Sequence, residues 1–85
     1  MRLPIIKHLV QFASDRDEDY LEETLETLEA LAECESLKDE ELDVLGEFIS
    51  NFHGALEVKK LMNEGESRTN AMNKFMERVK GSIDR

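Results

Sequence analysis

The sequence has a single cysteine, Cys34, and therefore cannot form an internal disulfide bond. Besides this thiol it has only two histidines, His8 and His53, which are too few and too far apart for a structural zinc site. It also lacks tryptophan and any run of about 18 apolar residues that would suit a membrane span. A chain of 85 residues without these supports is marginally stable alone, so we expect association with another copy to stabilise it.

Negative charge is concentrated in the middle of the chain. The formal net charge is −9, and residues 14–47 carry fifteen acidic side chains against two basic ones, a net −13. Such a surface repels nucleic acid and anionic lipid, so we expect neither a nucleic-acid nor a membrane partner. The lone thiol and the absence of a signal peptide predict a soluble protein of the cytoplasm.

Apolar residues recur at helical spacing along the chain, and no segment alternates in the manner of a strand. The pattern predicts one all-α domain over residues 1–85, a bundle of four helices of unequal length with the long third helix at its centre. Because the links are short, we expect consecutive helices to be antiparallel. The predicted helices span residues 4–14, 16–34, 39–64 and 68–80.

Capping residues support these boundaries. Pro4 suits the first turn of the first helix, and Asp15 with Glu18 fits a capping box at the start of the second. Gly65 is predicted to end the third helix as a left-handed cap, and Ser67 to cap the fourth. Gly81 is predicted to end the fourth helix, and we expect the tail that follows to dock through Ile83.

The third predicted helix is apolar over a wide arc. At about 100° per residue, its apolar positions cover about 200°, whereas a surface helix needs a stripe only a little over 100° wide. Either the other three helices surround it, or a second subunit covers part of it. The shortness of the first helix favours a homodimer.

A stripe of small residues, Gly46, Ser50 and Gly54, runs along the same helix. A glycine inside a helix costs about 1 kcal/mol relative to alanine, and residues four apart lie on one face where another backbone can approach. With Phe48 and Phe52 supplying apolar surface, these five residues predict a helix–helix interface. The approaching backbone belongs either to another helix of the chain or to a second copy, and we expect these residues to form the interface of the homodimer.

Catalytic motifs are missing. There is no glycine-rich phosphate loop, no metalloprotease motif and no recognisable nucleophile–base arrangement, so we predict no enzyme, no catalytic residue and no cofactor. His53 and Glu57, one helical turn apart, are weak candidates for a metal site that needs at least one more ligand. The favoured alternative is a border histidine that hydrogen-bonds Glu57 or solvent.

Two further features bear on partners. The acidic neighbours of Cys34 oppose formation of the reactive thiolate, so the thiol is predicted to be a bystander. Met62, Met72 and Met76 form either ordinary core or an adaptable patch of the kind that binds partner helices. An exposed face of the fourth helix is the best place for an unknown protein partner.

Four segments carry a resemblance: LPIIK (3–7), KDEELDVLGE (38–47), SNFHGALEV (50–58) and GSIDR (81–85). They resemble a family of small, acidic, uncharacterised bacterial proteins, a domain of unknown function. The resemblance implies no catalytic residue, and it adds a role as accessory protein to thioredoxin- or peroxiredoxin-type enzymes as an alternative. The prediction is thus a protein that acts through protein–protein interaction as a homodimer, with the redox accessory role and a metal-binding bundle using His53 and Glu57 as alternatives.

Overall fold

The computed structural model describes residues 1–80 and contains four α-helices, which confirms the predicted all-α architecture. Each boundary lies within two residues of its predicted position. Gly81 and Ile83, named in the expectation about the tail, lie outside the described residues. The helices are α1 (Leu3–Ala13), α2 (Glu18–Ala32), α3 (Asp39–Asn63) and α4 (Arg68–Arg78).

The long helix α3 is the centre of the structure, and α1, α2 and α4 each pack mainly on it. α2 runs antiparallel to α3, since its first residue, Glu18, accepts a hydrogen bond from the side chain of Asn63 (3.3 Å) at the far end of α3. α1 runs in the same direction as α3, because Arg2 contacts Asn51 and Ser14 contacts Lys59. α1, α2 and α3 therefore alternate in direction, as the short links predict.

Two apolar clusters surround the C-terminal half of α3. One joins α1, α3 and α4, and the other joins the end of α1 to α2 and α3. The structure therefore encloses this half of α3 with the other three helices, which is the first of the two arrangements that its wide apolar arc allows. The buried members are Ile6, Val10, Ala55, Val58, Ala71, Met72, Phe75 and Val79 in the first cluster, and Ala13, Leu21, Leu25 and Leu56 in the second.

Two buried polar side chains of α3 hold the ends of α1. Asn51 is fully buried, and its Oδ1 accepts a hydrogen bond from the backbone N–H of Arg2 (2.7 Å), which precedes α1 and provides no side-chain cap. Lys59 is 5% exposed, and its Nζ donates to the backbone carbonyl of Ser14 (3.0 Å) just after α1. A buried acceptor and a buried cation thus each satisfy one backbone group, at the start and at the end of α1 respectively.

The start of α2 differs from the prediction. The N-cap is Asp17, whose Oδ1 accepts a hydrogen bond from the backbone N–H of Tyr20 (3.2 Å). The capping box expected from Asp15 and Glu18 is wrong, because Asp15 lies outside the helix and pairs with Arg16 at 3.0 Å. Several acidic residues are adjacent here, so spacing alone does not identify the one that caps.

The link between α3 and α4 follows the prediction. Gly65 has a φ of +106°, the left-handed conformation that ends a helix most readily at glycine. Ser67 is the N-cap of α4, and its Oγ accepts a hydrogen bond from the backbone N–H of Asn70 (3.1 Å). Local residue chemistry therefore determines this turn.

Side chains of both α1 and α4 pack closely against α3 at Gly54. A Cβ atom added at Gly54 would lie 2.9 Å from Cδ1 of Ile6 and 2.9 Å from Cζ of Phe75. The same addition at Gly46 would meet nothing within 4 Å. The two glycines of the stripe therefore have different environments, and only Gly54 serves close packing within the chain.

This difference gives a prediction with an internal control. Gly54→Ala should lower the free energy of unfolding by about 1 kcal/mol, since an overpacking cost of about 1–3 kcal/mol exceeds the gain in helix propensity of about 1 kcal/mol. Gly46→Ala should raise it by about 0.5–1 kcal/mol. Chemical denaturation measures both. Equal effects at the two positions would contradict the close packing at Gly54.

Candidate functional site

The N-terminal half of α3 is covered by far less of the protein than its C-terminal half. Leu42, Val44 and Phe48 are 42%, 52% and 47% exposed, although all three are large apolar residues. Leu31, near the end of α2, is 48% exposed beside them. α1 and α4 have 11 residues each, and their buried contacts lie further along α3. The end of the α2–α3 hairpin is therefore left with apolar surface in contact with solvent.

Leu31, Val44 and Phe48 line one continuous groove, which we call the hairpin face. It consists of Leu31, Leu37, Val44, Leu45 and Phe48, with Glu40 and Glu41 at its edge, and it is a wide-open depression with a volume of about 480 Å³. Contiguous exposed apolar surface bordered by charged residues is typical of a protein–protein contact. The hairpin face is the strongest candidate for a binding site in the described part of the chain.

The five interface residues predicted from the sequence do not form one surface. At about 100° per residue, Gly46 and Phe48 lie about 160° apart around α3, so one flat partner cannot contact both. Gly54 is buried against Ile6 and Phe75, so at this position the helices that approach the stripe belong to the same chain.

The remaining members of the predicted interface lie in different surroundings. Phe52 is half-buried and packs against the cluster between α2 and α3, and Ser50 is half-buried. Of the five residues, only Phe48 belongs to the hairpin face. Leu31, Leu37, Val44 and Leu45 complete the face and were not among the five predicted interface residues. The wide apolar arc of α3 indicated that part of this helix could contact a second subunit. It did not indicate which half of the helix the other helices of the chain leave exposed.

The structure does not bring His53 and Glu57 together as a metal site. The carboxylate of Glu57 accepts two hydrogen bonds from the guanidinium of Arg78, through Nε and Nη2. These hydrogen bonds are the main reason why the pKa of Arg78 lies above its ordinary value. Desolvation lowers this pKa by less than the hydrogen bonds raise it, and the attraction between the two charges raises it further. His53 is exposed, and within residues 1–80 no group of three His, Cys, Asp or Glu side chains could hold a metal ion.

The sequence model of one protein family matches residues 1–84, almost the whole chain. The chain belongs to DUF6952, a family of unknown function. The match confirms the resemblance to a domain of unknown function, and the family description assigns no activity. Comparison with curated proteins and with solved structures gave no match.

In this DUF6952 chain, the free thiol lies in the turn that joins two residues of the hairpin face. Cys34 is exposed and follows α2, and its backbone carbonyl accepts a hydrogen bond from the N–H of Leu37 (3.3 Å). The thiol therefore lies in the turn between Leu31 and Leu37, two residues that line the groove. Cys34 is near a candidate binding surface, which its acidic sequence neighbours did not suggest.

One further property concerns membranes. No helix within residues 1–80 combines the length and the apolar content that crossing a bilayer requires. The exposed apolar residues of the hairpin face belong to helices with many charged side chains.

The ion pair between Glu57 and Arg78 predicts that His53 and Glu57 do not bind a metal together. Protein purified from zinc- and iron-supplemented cultures should contain the same amount of metal as its His53→Ala and Glu57→Gln variants. Elemental analysis makes the comparison. Stoichiometric metal that disappears in both variants would show that the two side chains act as ligands.

Proposed function

We propose that the protein acts through protein–protein interaction and forms a homodimer across the hairpin face. The observation that supports this proposal is the half-exposed apolar surface of Leu31, Val44 and Phe48 on adjacent helices. Such a surface suits binding to another protein, and we propose no catalytic role for it. We also place the protein in the cytoplasm, since its single exposed thiol suits a reducing compartment.

A symmetric dimer uses the hairpin face twice. Fully burying a large apolar side chain stabilises a protein by about 1.5–3 kcal/mol. Leu31, Val44 and Phe48 are about half exposed in the single chain, so covering them in a dimer would contribute about half of that free energy for each side chain. In a twofold dimer the same side chains of both copies are buried, so the gain per chain is doubled over the interface. Such a contact also supplies stability that a chain of this size does not obtain from its own core.

The charge around the hairpin face gives this dimer a recognisable salt dependence. Glu40 and Glu41 border the groove, so two copies that meet there bring negative charges together. Repulsion between exposed charges weakens as salt screens it, with a Debye length of about 10 Å at 0.1 M and about 3 Å at 1 M. The dimer should therefore become tighter when the salt concentration rises.

Phe48→Glu tests the dimer. It places a third acidic side chain on the hairpin face, and the solution mass from sedimentation equilibrium should fall from that of two chains to that of one. The matched control is Phe12→Glu, since Phe12 is 49% exposed, close to the 47% of Phe48, but lies at the end of α1. A wild-type protein that is monomeric at high salt, or a Phe48→Glu variant that is still dimeric, would contradict the proposal.

The position of Cys34 favours a second candidate, an accessory role beside thioredoxin-type enzymes. A thioredoxin-fold protein docked on the hairpin face would place a disulfide within reach of this exposed thiol. In the exchange, the Cys34 thiolate attacks the disulfide, one sulfur bonds to Cys34, and the other leaves as a thiolate.

A purified thioredoxin that lacks its resolving cysteine, with its remaining cysteine activated as a mixed disulfide with thionitrobenzoate, tests this candidate. Release of thionitrobenzoate reports the reaction with Cys34. The rate should exceed that of a small aromatic disulfide, fall in Phe48→Glu and vanish in Cys34→Ser. An unchanged rate in Phe48→Glu would contradict this candidate, because it would show that Cys34 reacts as an ordinary exposed thiol without docking at the hairpin face.

A further inference from the structure

A second groove lies between α1 and α4 and differs from the hairpin face in charge. We call it the α1–α4 groove and define it by Lys7, Val10, Arg68, Met72, Asn73 and Met76. It encloses about 300 Å³. Val10 and Met72 are buried and Met76 is half-buried, so they form an apolar floor, while Lys7 and Arg68 are exposed on the two walls.

The charge of this groove is opposite to that of the protein. The chain carries a net charge of −9, yet every residue that lines the α1–α4 groove is apolar, neutral polar or basic. Within residues 1–80, neither Lys7 nor Arg68 takes part in an ion pair, whereas Lys60, Lys74 and Arg78 each pair with a glutamate. Two cations are thus left on opposite walls without an acidic partner in this part of the chain.

The shape and composition of the groove suit a helix. The lining residues of α4 extend from Arg68 to Met76, about two helical turns or about 12 Å. Two adjacent helices form a natural seat for the apolar stripe of a third. Methionine side chains are flexible and polarisable, and they adapt to the apolar side chains of a partner helix.

We propose that the α1–α4 groove binds an acidic amphipathic helix of another protein. Apolar side chains of that helix would rest on Met76 and on the small exposed part of Met72, which lie over the fully buried Val10. Carboxylates on its flanks would pair with Lys7 and Arg68. Charge complementarity selects this partner, since a basic helix would meet two like charges at the groove and would be drawn to the acidic residues of α2 instead. This surface is separate from the hairpin face, so the homodimer and the hetero-partner do not compete.

Methionine methyl NMR on the full chain tests the proposal. The probe is a designed helical peptide of about 15 residues with a leucine stripe and glutamates on both flanks, and its matched control carries lysines in place of the glutamates. The acidic peptide should shift the methyl resonances of Met72 and Met76 with saturation below about 1 mM. The hairpin face contains no methionine, so binding there does not give this signal.

Charge reversal supplies the second arm. The double variant Lys7→Glu/Arg68→Glu should weaken binding of the acidic peptide by about tenfold or more, because each charged contact contributes measurably. The control Lys38→Glu/Lys80→Glu changes the net charge equally at exposed positions outside the groove and should weaken it much less. Equal losses in the two double variants would overturn the proposal, as would shifts of Met72 and Met76 with the lysine peptide.

Two other results would also overturn it. Absence of any shift with the acidic peptide would show that the groove does not accept a helix. Shifts of Met72 and Met76 with decanoate but not with the peptide would assign the groove to a small anionic amphiphile. The solution mass of Lys7→Glu/Arg68→Glu should equal that of the wild type, so the outcome here is independent of the dimer at the hairpin face.

Discussion

The contact at Gly54, where Ile6 of α1 and Phe75 of α4 meet α3, is the constraint on which the remaining architecture depends. It fixes both short helices on the C-terminal half of a helix of 25 residues. Asn51 and Lys59 hold the two ends of α1 on the same half. Since α1 and α4 are both used there, only α2 and its following turn remain to cover Val44 and Phe48. The exposed hairpin face thus follows from where the two short helices pack.

Acidic and basic side chains lie beside two different apolar grooves of the structure. Glu40 and Glu41, which belong to the acidic segment 14–47, border the apolar hairpin face, and the basic residues Lys7 and Arg68 line the groove between α1 and α4. The molecule has two apolar grooves whose borders carry opposite charge. Each therefore favours a different occupant, and salt should strengthen a contact between like charges at the first and weaken a contact between opposite charges at the second.

Local chemistry made much of the fold predictable. Helical periodicity gave the four helices, and Ser67 and Gly65 were identified from the conformations that they favour. The candidate site was harder, because small residues at a spacing of four indicate close approach but not which backbone approaches. Successive members of the stripe also turn by about 40° around α3, so that Gly54 faces the core while Gly46 faces solvent. The buried roles of Asn51 and Lys59 were not visible in the sequence, since both residue types are usually exposed.

The central claim is that three helices enclose the C-terminal half of α3 and only α2 covers its N-terminal half. Residue-resolved amide hydrogen exchange tests this claim most directly, because protection reports how much structure must open at each site. In dilute protein the amides of Ala55 and Val58 should exchange most slowly, and those of Val44 and Phe48 much faster. Protection at Val44 and Phe48 should rise with protein concentration as the hairpin face is covered. Equal protection along the whole of α3 in dilute protein would contradict the account.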